Sequence, residues 1–132
     1  MLLLRAREAV MLRFRAMLRE QGLTEQQWRV LRALSTETSF EIRKLVAVTF
    51  LLGPSLSRIL ADLEKAKLIV VELHGSDQRR KIVSLAPLGA ELMERIAPLS
   101  EDIYADISER IGADRLVQMQ ELLREVEHAL RA

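Results

Sequence analysis

Apolar residues recur at steps of three and four along the first part of the chain, a spacing typical of one face of an amphipathic helix. A second helix is predicted after Thr24, because Thr24 and Gln27 have the spacing of a capping box that satisfies free backbone amides. Leu23 and Trp28 flank this start at the spacing of a hydrophobic staple. The first stripe, which ends near Gly22, comprises Leu3, Ala6, Val10, Phe14 and Met17.

Two shorter helices are predicted on either side of a Gly-Pro break near the middle of the chain. Thr38 or Ser39 is expected to cap the first, and Pro54 fits the first position of the second, where a missing amide hydrogen costs nothing. The first helix places Ile42, Leu45, Val46 and Thr49 on one face. In the second, Leu56, Ile59, Leu60 and Leu63 face inward, and Ser55, Ser57, Arg58 and Asp62 face outward.

Two β-branched segments follow and predict a hairpin. Its strands are residues 69–73 and 81–85, and the seven polar residues between them form a long charged tip. The order of elements is therefore helix, helix, short helix, turn, helix and hairpin. This order predicts a winged helix-turn-helix lobe at about residues 24–86.

The last third of the chain is predicted to form two long helices. Pro87 opens the first, which we expect to bend at Pro98 and to end at Gly112, and Asp114 is placed to cap the second. Apolar residues of the second helix step by three and four, which is typical of a seam that packs against another helix. That seam comprises Leu116, Met119, Leu123, Val126 and Leu130.

The composition excludes several classes of protein. The length of 132 residues suits one domain, and 49% apolar with 30% charged residues is an ordinary globular balance. No run approaches the ~18 apolar residues that span a bilayer, and no signal-peptide pattern is present, so a cytoplasmic protein is expected. The chain has no cysteine and no glycine-rich phosphate loop, and its two histidines are far apart in sequence. We therefore expect no catalytic residues, metal or cofactor.

Charge is distributed unevenly, although the net charge is only +1. Residues 1–86 hold 15 Lys and Arg against 9 Asp and Glu, a net of +6, whereas residues 87–132 hold 5 against 10, a net of −5. A basic front and an acidic back indicate that the front faces a polyanion. Uneven solvated helix faces explain the same pattern, so charge alone leaves the question open.

The helix that begins near Pro54 has the features of a DNA-reading helix. Its N-terminal end presents Ser55, Ser57 and Arg58, and this end enters the major groove in a helix-turn-helix. Short serine side chains let the backbone approach, and their hydroxyls donate to phosphates or base edges. Arg58 suits a bidentate contact with guanine or a salt link to phosphate.

The predicted hairpin tip carries a second group of candidate DNA ligands. Arg79, Arg80 and Lys81 are three adjacent cations, and an arginine at such a tip suits the negative potential of a minor groove. Asp77 is placed to pair with Arg79 and to hold its side chain extended. An ordinary solvated turn is the alternative, but a tip that follows a helix of this kind favours DNA.

These residues also carry a resemblance to a known family. The chain resembles the MarR family of dimeric transcriptional regulators from Arg5 to Leu130, most strongly where that family has its recognition helix and its wing with an Asp-x-Arg signature. The resemblance implies a mainly α fold with a small β-hairpin, in which a winged helix-turn-helix is flanked by dimerisation helices at residues 1–22 and 87–132. The strongest segments are residues 54–64, 68–69, 76–81 and 83–85.

A closer likeness is to the repressors of homoprotocatechuate (aromatic acid) degradation operons, and it lies in residues 5–9, 23–29 and 52–55. Two positions depart from the family. Phe50 replaces the usual glycine in the turn before the recognition helix, so we expect that turn to be built differently. Ala86 replaces the usual threonine cap of the helix after the wing, a loss that typically costs about 1 kcal/mol.

The resemblance implies a homodimer. The terminal helices fit that role because they carry more apolar residues than the core of a small monomer would bury. Packing of these stripes within one chain is the alternative. A two-fold dimer predicts a pseudo-palindromic operator with half-sites ~34 Å apart. The predicted interface comprises Leu2, Leu3, Leu99, Ile103, Ile107, Leu116, Met119, Leu123, Val126 and Leu130.

The resemblance also implies a small anionic or phenolic effector. Arg7, Met11 and Arg15 share one face of the first helix, Phe14 adjoins it, and Trp28 starts the next helix. A guanidinium beside aromatic and thioether surface suits an aromatic carboxylate, with Arg15 and Trp28 the best candidates. Trp28 is also explained by the staple, and an arginine on a helix is usually a solvated charge.

The sequence therefore predicts a DNA-binding transcriptional regulator, released from its operator by a small aromatic acid or phenolic ligand, and not an enzyme. A winged-helix module that binds protein without a ligand response is the alternative. Salt dependence separates the two, because phosphate contacts release counterions on binding.

Overall fold

The computed structural model describes residues 1–74 and 77–131, and for residue 74 and residues 77–79 it describes the backbone alone. The predicted class is confirmed: helices dominate, and a small antiparallel sheet lies in the middle of the chain. The elements are α1 (Leu2–Glu20), α2 (Glu25–Leu34), β1 (Phe40–Glu41), α3 (Ile42–Thr49), α4 (Gly53–Lys65), β2 (Ile69–His74), β3 (Asp77–Leu85), α5 (Pro87–Ile111) and α6 (Ala113–Arg131).

The chain divides into two compact units. The central unit is Arg15–Pro98, and the terminal unit combines Met1–Phe14 with Leu99–Ala132. The boundary falls inside α1 and inside α5 rather than at their ends. In α5 it coincides with Pro98, through which the helix continues; the bend predicted there remains a prediction.

The sheet has three strands rather than the two of a simple hairpin. Its order is β1-β3-β2, with both pairs antiparallel. The predicted seven-residue tip is wrong, since β2 extends through His74 and β3 begins at Asp77. Polar residues continue these strands because backbone pairing extends through them, from Leu73 with Lys81 to His74 with Asp77.

Helix α2 begins as predicted. The Thr24 hydroxyl accepts from the Gln27 amide at 3.1 Å, and the Gln27 side chain accepts from the Thr24 amide at 3.0 Å. Leu23 and Trp28 are both buried, as a hydrophobic staple requires. The predicted cap of α3 by Thr38 or Ser39 is wrong, because residues 40–41 pair with β3 and delay the helix.

The apolar face of α4 contributes to the core of the central unit. Pro54 occupies the second rather than the first helical position. Because proline has no amide hydrogen, it leaves no unpaired donor in the first turn. The helix ends in a Schellman motif, in which Lys67 takes a left-handed φ of 63° and the Leu68 amide donates to the Leu63 carbonyl. The fully buried side chains of this unit include Leu18, Leu31, Leu34, Leu45, Leu56, Leu63, Ile96, Val30 and Val83.

The start of α5 is held by close backbone packing. Ala86 is buried, and its amide donates to the Leu68 carbonyl at 3.0 Å. A Cβ on Gly89 would lie 2.0 Å from the same Leu68 oxygen, so only glycine fits there. This packing fixes the chain at the start of α5 against the end of the α4–β2 connection.

In the described part of the chain, no single helix is long and apolar enough to cross a membrane. Helices α3 and α4 reach that length and composition only together, and they are bent by 110° at the break between them.

Candidate nucleic-acid interface

The N-terminal end of α4 presents small polar side chains to solvent. Pro54, Ser55, Ser57 and Arg58 are all exposed, whereas Leu56 between them is buried. The buried positions repeat at Leu60 and Leu63, so one face of α4 is core and the other is open. The inward and outward faces predicted from periodicity are therefore confirmed.

The turn before α4 is built around Phe50, which adopts a left-handed conformation with φ 57° and ψ 24°. Glycine adopts this conformation without a steric penalty, whereas a residue with a Cβ pays roughly 1–2 kcal/mol. The expectation that the turn is built differently is wrong. The backbone keeps a glycine-like geometry, and phenylalanine bears the strain.

Several hydrogen bonds hold this turn. The buried Thr49 hydroxyl donates to the Leu45 carbonyl at 2.6 Å and accepts from the Leu51 amide at 3.4 Å. Arg29 Nη1 of α2 donates to the Thr49 carbonyl at 3.2 Å. The same turn is therefore tied to α2 and to the last turn of α3, which defines where α4 begins.

Arg29 also belongs to a charged group that the sequence did not reveal. Glu25 accepts from Arg29 Nη2 at 3.3 Å, and its other oxygen lies 3.9 Å from Arg15 Nη2. The Glu25 side chain is 17% exposed, so it is shielded more than a surface carboxylate. Arg15, a predicted effector ligand, thus lies beside a carboxylate that is also paired with the arginine holding the turn.

The described wing residues differ in their surroundings. Arg80 pairs with Glu41 of β1, and both side chains are about half exposed. Lys81 is exposed. The side chains of Asp77 and Arg79 lie outside the described part of the structure, so their predicted contact with DNA rests on the sequence.

The residues predicted to bind an effector fall into both units. In the terminal unit, Arg7 lies 3.6 Å from Glu8, Met11 is half-buried, and the buried Phe14 ring packs against Tyr104 at 4.9 Å. In the central unit, Trp28 is buried and the guanidinium of Arg32 lies 4.7 Å from its ring centre.

Arg32 is a residue that the sequence reasoning missed. Its spacing of four from Trp28 was the available signal, since residues four apart are neighbours on a helix. Arg32 also lines a groove of about 450 Å³ on the central unit, together with Arg29, Lys44 and the aromatic ring of Phe40. Cationic and aromatic groups therefore meet on this surface, as a small aromatic anion requires.

Comparisons with known proteins agree with this fold. Residues 21–80 match the MarR family. The HTH-type transcriptional regulator FarR of Neisseria gonorrhoeae is 36% identical over 94% of this chain and 85% of its own length. The homoprotocatechuate degradative operon repressor of Escherichia coli is 36% identical over 93% of this chain and 83% of its own length.

This chain belongs to the MarR family. The crystal structure of NadR in complex with 4-hydroxyphenylacetate superposes on it with a TM-score of 0.81 at 36% identity, covering 94% of this chain and 88% of that one. The winged helix-turn-helix prediction and the assignment to transcriptional regulators rather than enzymes are confirmed by these relatives. Among the described residues of this MarR protein, no group of three or more His, Asp or Glu could hold a metal ion.

The MarR chain leaves its terminal apolar stripes unevenly covered. No described residue of α6 is buried, and Leu123 and Val126 are 41% and 49% exposed. Ile107 differs, since it is 8% exposed and lines an apolar cavity of about 490 Å³ inside the terminal unit. Of the remaining predicted interface residues, Ile103 and Leu116 are half-buried, and Leu2, Leu3, Leu99, Met119 and Leu130 are exposed.

Proposed function

We propose that this MarR protein is a homodimeric transcriptional repressor, which binds a pseudo-palindromic DNA operator and releases it when a small aromatic acid or phenolic ligand binds. The observation that carries the DNA function is the open face of α4, where two serines, an arginine and a proline are exposed over a buried apolar face. A DNA-binding role also makes the cytoplasm the expected location.

Two groups of residues would contact DNA in this proposal. Ser55, Ser57 and Arg58 enter the major groove, where hydroxyls and a guanidinium meet base edges and phosphates. Arg79, with Lys81, lies on the wing and meets the minor groove and its flanking phosphates. Arg80 contributes less, because Glu41 already neutralises much of its charge.

A homodimer is supported by the open seam of α6. Nineteen residues form this helix without one buried side chain in the described structure. Most helical stability in proteins comes from packing of an apolar face, so this open stripe calls for a partner surface. A second copy that covers Leu123, Val126 and Leu130 supplies the missing surface, and a two-fold dimer predicts operator half-sites ~34 Å apart.

An aromatic acid is supported by the relatives and by the central unit. One relative is named for homoprotocatechuate degradation, and another was crystallised with 4-hydroxyphenylacetate. In this chain the Arg32 guanidinium lies 4.7 Å from the ring centre of the buried Trp28, and Arg32 and Arg15 carry the guanidinium groups that suit a carboxylate. Release follows if the ligand prefers a dimer whose recognition helices are wrongly spaced for DNA.

The DNA function is tested by fluorescence anisotropy on duplexes selected by the protein from a random library. We expect tight binding that weakens steeply between low and high salt, because phosphate contacts release counterions. Arg58→Ala should lose about tenfold or more in affinity, since a good arginine–base contact contributes ~1–3 kcal/mol. The matched control is Lys65→Ala at the opposite end of α4, which should change affinity less than about twofold by the same reasoning.

Selection that enriches no sequence, or binding that is insensitive to salt, would reject the DNA function in favour of a protein-binding module. Equal losses for Arg58→Ala and Lys65→Ala would reject the role of the N-terminal end of α4.

The effector function has a built-in probe, because Trp28 is the only tryptophan of the chain. We expect 4-hydroxyphenylacetate or a related aromatic acid to change Trp28 fluorescence and to weaken DNA binding over the same concentration range. Arg32→Gln and Arg15→Gln form a matched pair, and the variant that loses the response identifies the carboxylate ligand. A fluorescence change without any loss of DNA affinity would separate binding from regulation and reject ligand-induced release.

A further inference from the structure

The turn between α3 and α4 holds apolar side chains out into solvent. Phe50 is 65% exposed and Leu52 is 76% exposed, whereas Leu51 between them is buried at 9%. Leu52 directly precedes the first residue of α4, and the exposed Pro54 and Ser55 follow it. The apolar pair therefore continues the open surface of α4 in the N-terminal direction.

Phe50 is costly for the free protein in two ways. Its left-handed backbone would suit glycine better, and about two thirds of this large apolar side chain is exposed. Strained residues of this kind persist when the surrounding structure holds them, and they concentrate at functional sites. Here the hydrogen bonds of Thr49 and of the Arg29 guanidinium hold the turn, so the backbone of Phe50 is fixed in this conformation.

Resting on the proposed DNA function, we propose that Phe50, assisted by Leu52, reads thymine through its 5-methyl group in the major groove. The major-groove edge of thymine is distinguished by this methyl group, and apolar side chains recognise it by contact. Ser55, Ser57 and Arg58 read hydrogen-bonding groups from the same end of α4, while Phe50 adds a methyl-sensing contact beside them.

DNA is a better occupant of this surface than a second protein copy. The apolar pair is flanked by two serines and an arginine, and residues 1–86 carry a net charge of +6. A protein interface core is depleted of charge, whereas a DNA surface mixes cations with isolated apolar contacts. The large uncovered apolar seam of this chain lies instead on α6.

The test replaces thymine by uracil, which removes only the methyl group, at each thymine of a selected operator in turn. For the unmodified protein we expect one or two positions in each half-site to lose about fourfold in affinity, the effect of one buried methyl group. Because the proposed homodimer has two copies of Phe50, Phe50→Gly and Phe50→Asn should bind the thymine duplex at least about 16-fold more weakly, about fourfold for each half-site, and show no further loss with uracil.

Both variants remove the ring without adding backbone strain, because glycine and asparagine tolerate the left-handed conformation. Their melting temperatures, measured in parallel, show whether each remains folded. Leu12→Ala removes a comparably exposed apolar side chain, 62% exposed on α1, and should retain the full sensitivity to uracil.

Three results would overturn the inference. Tight, salt-sensitive binding with no uracil effect leaves the DNA function intact and rejects methyl reading. An equal uracil effect in Phe50→Gly assigns the methyl contact to another residue. If the unmodified protein associates beyond a dimer and Phe50→Gly abolishes this association, the surface is a protein contact. If the unmodified protein selects no operator, the proposed DNA function fails first and the inference fails with it.

Discussion

Helices α4 and α6 carry similar apolar stripes, but the protein buries only one of them. In α4, Leu56, Leu60 and Leu63 are between 1% and 5% exposed, whereas Leu122, Leu123 and Val126 of α6 are between 41% and 61% exposed. An amphipathic pattern shows that a helix needs a partner surface. It does not show whether that surface lies in the same chain, and burial in the folded protomer distinguishes the two cases.

The difference has an energetic consequence for each helix. Packing inside the central unit stabilises α4, so its outer face is free to carry polar residues for recognition. Nothing comparable covers α6 in the described protomer, although packing of an apolar face supplies most helical stability in proteins. Stability of α6 and assembly of the dimer are therefore expected to be one process.

The largest expected effect comes from placing charge on the open stripe. Leu123→Asp combined with Val126→Asp should weaken the dimer at least about 100-fold, because two carboxylates would have to leave water for an apolar interface. Sedimentation velocity over a concentration series measures this change. Gln118→Asp, on an exposed polar position of the same helix, is the control. A dimer that tolerates the double substitution would contradict an interface on α6.

The covered stripe is expected to affect folding of the protomer rather than its assembly. Leu56→Ala should lower the free energy of unfolding by about 2–5 kcal/mol, because it leaves a cavity in the core of the central unit. Urea unfolding at a fixed protein concentration measures the loss. Ser57→Ala on the exposed face should stay within about 0.5 kcal/mol. A cost for Leu56→Ala as small as that of Ser57→Ala would remove the distinction between the two faces of α4.

The flanks of the two helices provide a third comparison. Non-glycine residues with positive φ lie on both sides of α4, at Phe50 and Lys67, whereas Gly112 precedes α6. Phe50→Gly and Lys67→Gly should each raise the free energy of unfolding by about 1 kcal/mol by relieving strain. Gly22→Ala should lower the free energy of unfolding by a similar amount. A Cβ there meets no atom within 4 Å, so the cost comes only from the left-handed backbone conformation. Thermal unfolding tests all three, and a destabilised Phe50→Gly would show that the ring stabilises the free fold.

The smallest effect concerns the wing beside α4. Glu41→Gln should raise DNA affinity about twofold at low salt, because Arg80 would lose this carboxylate and exposed ion pairs contribute only ~0.2–1 kcal/mol. Anisotropy with a selected duplex measures the change. Glu37→Gln removes the same charge from the pair with Lys44 and controls for net charge. Equal gains for both variants would show a general charge effect rather than a role for Arg80.

Local signals explain most of what the sequence predicted correctly. The capping box at Thr24, the break at Gly53 and Pro54 and the inward face of α4 all depend on residues within four positions of one another. Strand β1 was missed because two residues carry no pattern of their own. Phe40 and Glu41 become a strand only by pairing with Val83 and Ile82, about forty positions away.

The same limit applies to the candidate sites. The outward set of Ser55, Ser57 and Arg58 followed from periodicity, since a helix has a fixed repeat. The pairing of Arg80 with Glu41 joins β3 to β1, and the hold of Arg29 on the Thr49 carbonyl joins α2 to the end of α3. Neither follows from spacing, because the partners are brought together by the sheet and by helix packing.

By itself, the sequence determined where α2 begins, which helix faces are apolar and which side chains stand at the open end of α4, since these depend on short-range stereochemistry. Tertiary structure decided which apolar faces are covered, which cations already have carboxylate partners and how Phe50 is held in a glycine-like turn. These properties depend on residues far apart in the chain, and packing alone determines which of them meet.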